Sequence, residues 1–127
     1  MIVVDASAAV LGLLNDGDAR RSLSTDVVAA PHLIDAEVAN ALRSQVLRGA
    51  VKEREARTAL DRWARLGIQR FGMVGLLTRE WALRENLTAY DAAYVALAET
   101  LGCGLLTADR RLVNAPGPAC PIVLIRR

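Results

Sequence analysis

Residues 87–112 read LTAYDAAYVALAETLGCGLLTADRRL. The first half is rich in alanine and leucine and is helix-forming. Gly102-Cys103-Gly104 then breaks the helix, and GLLTA reads as a short buried strand. Because this Gly-Cys-Gly precedes a strand instead of following one, it is a turn and not a dinucleotide-binding fingerprint. Two acids, Asp91 and Asp109, sit in this apolar stretch at positions where helices are expected to begin.

The same alternation extends in both directions. Ile2 to Val4 reads as a buried strand, followed by a helix over Ser7 to Leu14 and a short one over Asp18 to Ser24. Val27 to Ala30 is either a second strand or an extended lead into Pro31. From Leu33 to Leu47 the apolar Ile34, Val38, Ala41, Leu42 and Val46 share one helical face, with Gly49 as C-cap. Lys52 to Leu66 repeats the pattern through Ala56, Ala59, Leu60, Trp63 and Leu66. Ile68 to Phe71 is a candidate strand and Val74 to Glu85 a further helix. Beyond residue 112, APGPACP is a loop and Ile122 to Ile125 a final strand. Strands alternating with helices imply an α/β fold, a three-layer sandwich around a largely parallel sheet of four or five short strands. The length, 127 residues, fits one domain spanning 1–127.

Each acid has a structural use. Asp5 ends a strand and begins a helix; Thr88 and Asp91 form a T-x-x-D capping box; Asp109 caps the helix after GLLTA. Topology adds a second consideration. Parallel α/β sheets bind ligands beyond the carboxyl ends of their strands, where the next helices start. Asp5 and Asp109 follow strands, and Asp91 opens a helix antiparallel to them, so all three are expected on one edge. A fourth acid comes from the helix starting near Leu33, where helical phase leaves both Asp35 and Glu37 open. Carboxylates within ~4–6 Å raise one another's pKa values unless a cation compensates them. All-oxygen ligands favour a hard divalent ion, Mg²⁺ or Mn²⁺.

Composition narrows the alternatives. A formal charge of +2 does not mark a nucleic-acid binder. Fifteen arginines accompany a single lysine, Lys52, a bias that suits phosphate contacts and ion pairs but that a GC-rich genome would give equally. Cys103 and Cys120 form no C-x-x-C pair and read as two reduced, mostly buried thiols of a cytoplasmic protein. MIVVD makes a poor signal peptide, and no run of eighteen uncharged apolar residues exists to span a membrane. His32 is the only histidine, which excludes a paired-histidine metal site and leaves a serine–histidine–acid triad without support. With five aromatics, and Trp63 on an apolar stripe, no basic and aromatic surface of the kind that reads single strands is present. Arg54, Arg57, Arg62, Arg65, Arg79 and Arg84 are either a solvated helix surface or, some of them, a means of steering RNA.

Four pieces in order, IVVDASAAV, EVANALR, LTAYDAAYVALAETLG and LLTADRRL, give the chain a strong resemblance to the PIN-domain ribonucleases, specifically the short VapC-type toxins of bacterial toxin–antitoxin pairs. The resemblance selects Glu37 over Asp35, because the family's glutamate is followed three residues later by asparagine, here Asn40. It adds Ser7 and Thr107 as hydroxyls near the metal. It implies a Mg²⁺-dependent endoribonuclease in which Asp5 and Asp91 bind the main ion, Glu37 and Asp109 complete the cluster or hold a second ion, and products carry a 5′-phosphate. Asp109 is also a candidate metal ligand. An antitoxin with a basic inhibitory segment, an RNA substrate and a homodimer are the implied partners. Two readings compete with this one. A Mg²⁺-dependent phosphatase or phosphoryl-transfer domain calls for D-x-D after the first strand and a lysine near a later strand end, but position 7 is serine. A non-catalytic module would keep the acids as caps alone.

Overall fold

In the computed structural model, which describes residues 1–126, the short apolar runs are strands of one sheet. They are β1 (Ile2–Val4), β2 (Val28–Pro31), β3 (Gln69–Phe71), β4 (Gly104–Thr107) and β5 (Ile122–Leu124), in the order β3-β2-β1-β4-β5. Every pairing is parallel. Burial follows position in the sheet. The inner strands are almost wholly apolar, as a parallel sheet covered on both faces requires. The edge strands β3 and β5 are the more exposed.

Seven α-helices are described: α1 (Ala6–Leu14), α2 (Asp18–Thr25), α3 (Ile34–Leu47), α4 (Glu53–Arg65), α5 (Leu77–Ala82), α6 (Ala89–Leu101) and α7 (Arg110–Asn114). The helix α6 lies against β1, β2 and β4. Its alanines allow close approach, and every residue from Ala92 to Ala98 is buried. It ends at Gly102, whose φ of 67° is the left-handed conformation that glycine adopts freely, with the Cys103 N–H bonded to the Ala98 carbonyl. Helix α1 packs on α2, α3 and α4. At Gly12 a Cβ would stand 3.0 Å from the backbone of Ala19 and Arg20 and 2.7 Å from Leu23 Cδ1, so glycine lets α1 approach the start of α2 this closely.

One open alternative is decided and one expectation changes. Of the two readings of Val27 to Ala30, the strand holds, and it extends to Pro31, because β2 pairs through Pro31 to Phe71 and the His32 N–H donates to the Phe71 carbonyl. The helix expected over Val74 to Glu85 is instead a 3₁₀ turn (Val74–Leu76), the six-residue α5 and further turns. Gly75 weakens helix there, and Val74, Leu77 and Trp81 gain nothing from core packing because they are exposed. The other edges move by a residue or so. No helix among the described residues is long and apolar enough to cross a membrane.

Candidate active site

The chain order reverses between β1 and β4, the place where such sheets open a crevice at their carboxyl ends. Asp5 leaves β1 there, its N–H donating to the Leu106 carbonyl of β4. Asp5 is buried, and its carboxylate organises the crevice. Oδ1 accepts from the Ser7 hydroxyl at 2.6 Å and from the Ala8 N–H at 3.0 Å, and Oδ2 accepts from the Thr107 hydroxyl. The two hydroxyls reach further. Ser7 Oγ accepts the Ala108 N–H at 2.9 Å and Thr107 Oγ1 accepts the Asp109 N–H at 3.0 Å. Ser7 and Thr107 thereby fasten Asp5 to the turn that presents Asp109.

The three helix starts are capped, although the box of Thr88 and Asp91 is made in one direction only. Asp5 caps α1, Thr88 caps α6 by accepting the Asp91 N–H, and Asp109 caps α7 by accepting the Arg111 N–H. Capping and clustering coincide because helix starts and strand ends share this edge. Electrostatic influence passes between the acids: Asp91 raises Asp5, Asp5 and Asp91 raise Glu37, and Asp109 raises Asp91. In each of those three acids burial is the larger cause, and all three carboxyls lie above their ordinary values. Asp109 differs. The Arg111 guanidinium grips both its oxygens, at 3.0 and 3.2 Å, and holds it below the usual range.

The first turn of α3 separates its two acids. Asp35 accepts Trp63 Nε1 at 2.8 Å and Arg70 Nε and Nη2 at 2.7 and 2.8 Å, a clasp joining α3, α4 and β3 that lowers its pKa. Glu37 instead meets the Tyr94 hydroxyl at 2.5 Å. Asn40 is exposed one turn further on and makes no hydrogen bond to the acids. Tyr94 went unnoticed in the sequence because it lies inside the apolar run of α6. Its spacing, one turn after Asp91, was the available signal. Burial and the adjacent Glu37 push its phenol far up, so it is a permanent hydrogen-bond donor.

As the side chains stand, no group of three or more Asp, Glu, His or Cys among the described residues is arranged to hold a metal ion. The oxygens are committed elsewhere: those of Asp5 to hydroxyls, one of Glu37 to Tyr94, and those of Asp109 to Arg111. The donor chemistry nonetheless fits a hard divalent cation. All available atoms are carboxylate or hydroxyl oxygens, and among the described residues Arg111 on Asp109 is the one ion pair within the cluster. Two clefts flank the acids. One of about 260 Å³ is lined by Thr88, Asp91, Asp109 and Arg111, and one of about 440 Å³ by Ser7, Gln45, Ala108, Arg110 and Arg126.

Comparison with known proteins places this geometry. The family model described as PIN domain matches residues 2–118. The Mycobacterium tuberculosis protein named Ribonuclease VapC9 is 49% identical over 127 residues, covering 100% of both chains. Among solved structures, PAE2754 from Pyrobaculum aerophilum superposes with a TM-score of 0.69 at 27% identity, covering 94% of this chain and 82% of that one. VapBC2 from Rickettsia felis, bound to a DNA fragment from its promoter, matches with a TM-score of 0.66 at 15% identity, covering 96% and 98%, a likeness of fold alone.

Proposed function

The chain belongs to the PIN domain family, among the VapC ribonucleases, and on that footing we propose that it is the toxin of a toxin–antitoxin pair that cuts RNA internally at the acid edge in a Mg²⁺-dependent reaction. The observation that carries the metal reading is the convergence of Asp5 from the end of β1, Glu37 from the first turn of α3 and Asp91 from the first turn of α6 on one edge, near enough for their charges to act on one another. Asp5 and Asp91 would hold the main ion, with Glu37 and Asp109 completing the cluster. Mg²⁺, or Mn²⁺ in its place, supplies when bound the positive charge that acidifies the attacking water and stabilises the scissile phosphate. Ser7 and Thr107 keep Asp5 in place and hold the turn of Asp109 against it. Tyr94 fixes the rotamer of Glu37. Arg110, Arg111 and Arg126 line the two clefts, and in this reading they would bind the phosphates of a strand crossing the acids.

The antitoxin is proposed to insert a basic side chain among the same acids, where it would stand in for the metal's charge. A homodimer is also proposed, on the family likeness. The working compartment is taken to be the cytoplasm. The phosphatase reading gains nothing here, since Lys52 is the exposed N-cap of α4.

The test is a gel assay of RNA incubated with the protein in Mg²⁺, in Mn²⁺ and in EDTA, beside Asp5→Asn. Internal cleavage that needs the ion and is lost in the variant supports the proposal. Cleavage that persists in EDTA, or survives in the variant, sinks it.

A further inference from the structure

The two cysteines lie seventeen residues apart, and so do the paired residues of β4 and β5. Leu105 pairs with Ile122, Leu106 with Val123 and Thr107 with Leu124. The ladder continues one step beyond the strand ends: the Leu105 N–H donates to the Pro121 carbonyl at 2.9 Å, and a Cβ built on Gly104 would stand 3.8 Å from Pro121 Cβ. One further step in the same register would set Cys103 opposite Cys120, and Cys103 is near enough to act electrostatically on the Cys120 thiol. Neighbouring strands run about 4.8 Å apart, inside the roughly 4.4–6.8 Å between Cα atoms that a disulfide bridges. Both positions are also anchored. Cys103 follows the glycine that ends α6, its N–H held by Ala98. Cys120 follows a segment clamped to Glu99, which accepts the Ala119 N–H at 2.7 Å while gripping Arg79, and Arg79 in turn reaches the Gly117 carbonyl.

The sequence suggested mostly buried thiols, but both are only half-buried, so a small oxidant reaches them. From this register, anchoring and access, we infer that Cys103 and Cys120 are an oxidisable pair that closes into an intrachain disulfide across the start of β4 and β5. The oxidant is a peroxide. The Cys103 sulfur attacks a peroxide oxygen, the O–O bond breaks, and hydrogen peroxide is reduced to one water as a sulfenic acid forms. The Cys120 sulfur then attacks that sulfur, and the S–O oxygen departs as a second water with the thiol proton. Cys120 takes the second role because burial, with Glu99 and Cys103 nearby, pushes its thiol up and makes it the poorer first nucleophile. The bond sits at the end of the sheet opposite the acids. It closes at its root the excursion of chain that carries Thr107 and Asp109. In a reducing compartment the pair stays open, and the reading of the acid edge does not depend on it.

The experiment uses the full chain, reduced and then treated dilute with hydrogen peroxide or, to bypass the sulfenic step, with diamide. Remaining thiols are alkylated under denaturing conditions before intact-mass measurement. The expected product is a single chain lighter by two hydrogens, bearing no alkyl group, and absent from Cys103→Ser and Cys120→Ser. Its melting temperature should lie on the order of 5–10 °C above that of the reduced form, because the cross-link restricts the unfolded chain. Three outcomes overturn the inference: two alkylated thiols after both oxidants, a cross-link only between chains, or an oxidised form that melts no higher than the reduced one.

Discussion

Asp35 and Glu37 are two residues apart in the first turn of α3, yet their surroundings act on them in opposite directions. Asp35 faces α4 and β3, where Arg70 and Trp63 supply three donors and its pKa falls. Glu37 faces α6 and the end of β1, where it finds one phenol and two further acids, and its pKa rises. The clasp is a closed arrangement in which charge is compensated and three elements are fastened together. The acid edge is an open one, in which a fold has gathered carboxylates and left most of their charge uncancelled. An uncompensated cluster costs stability, and this is what makes it a candidate site.

The contrast is sharpest in catalysis. Asp5→Asn or Asp91→Asn should lower RNA cleavage by at least about 10²–10³-fold, the scale on which a group stabilising transition-state charge acts. Asp35→Asn should leave most of the activity. Initial rates of a labelled RNA at saturating Mg²⁺ read this directly. Activity lost with Asp35→Asn but kept with Glu37→Gln would reverse the assignment of the two acids.

Tyr94→Phe probes the open side without changing volume. Outer-shell partners of a metal ligand are typically worth about 10–100-fold in metal affinity, so Mn²⁺ binding, followed by calorimetry, should weaken by that order. In a Glu37→Gln background the same substitution should add almost nothing. Additive losses would reduce Tyr94 to a core residue whose hydroxyl merely needs a partner.

On the closed side the effect is on stability alone. Hydrogen bonds to a charged group are worth about 1.5–3 kcal/mol, and the Asp35 side chain is 46% exposed. Solvent screening therefore brings the expected loss for Asp35→Asn to about 1 kcal/mol. Its pH dependence has a definite sign. Because the folded carboxyl is depressed, its contribution is fully present above the unfolded value of about 3.9 and is lost as pH falls through the folded one. Denaturant titrations of wild type and variant should therefore converge on acidification below about pH 4. A gap that stays constant would mean that Asp35 acts through shape and not charge.

The legible part of the molecule was the part in which local pattern and global fold agree. Short apolar runs and helical periodicity placed the strands and most helices within a residue or so, because the apolar runs of the inner strands and long helices are also buried runs. Where the chain leaves apolar residues in solvent, at Val74, Leu77 and Trp81, periodicity suggested a longer helix than the one that forms. The gathering of Asp5, Asp91 and Asp109 on one edge followed from parallel topology alone. The choice between Asp35 and Glu37 did not, since it depends on Trp63, Arg70 and Tyr94, which are 28, 35 and 57 residues away along the chain. Arg111 belongs to the same class: it follows Asp109 by two residues, but only the turn of α7 brings its guanidinium back to the carboxylate.

The smallest expected effect separates the two regions by sign. Asp91 is at the start of α6, where a negative charge gains roughly 0.3–1 kcal/mol from the helix dipole. If capping were its whole role, Asp91→Asn would melt slightly lower than wild type, with or without metal. Against the dipole stand burial and the repulsion of Asp109, which together lift its carboxyl above the ordinary value. A raised acid means that the folded chain holds its proton more tightly than the unfolded one. The stability cost is absent below the unfolded value of about 3.9, grows as pH rises through the folded one, and is complete above it. Near neutral pH in EDTA, Asp91→Asn should therefore melt higher than wild type, by about 2–4 °C if the relief is near 1 kcal/mol. Below about pH 4 the advantage should vanish. Added Mg²⁺ inverts the order, since an ion that binds only the folded protein stabilises wild type more than a variant lacking one ligand. Thermal melts in EDTA and across a Mg²⁺ titration at constant ionic strength test all three signs. A variant that melts lower in EDTA and responds to Mg²⁺ like wild type would leave Asp91 a helix cap and place the acid edge beside the clasp, as structure alone.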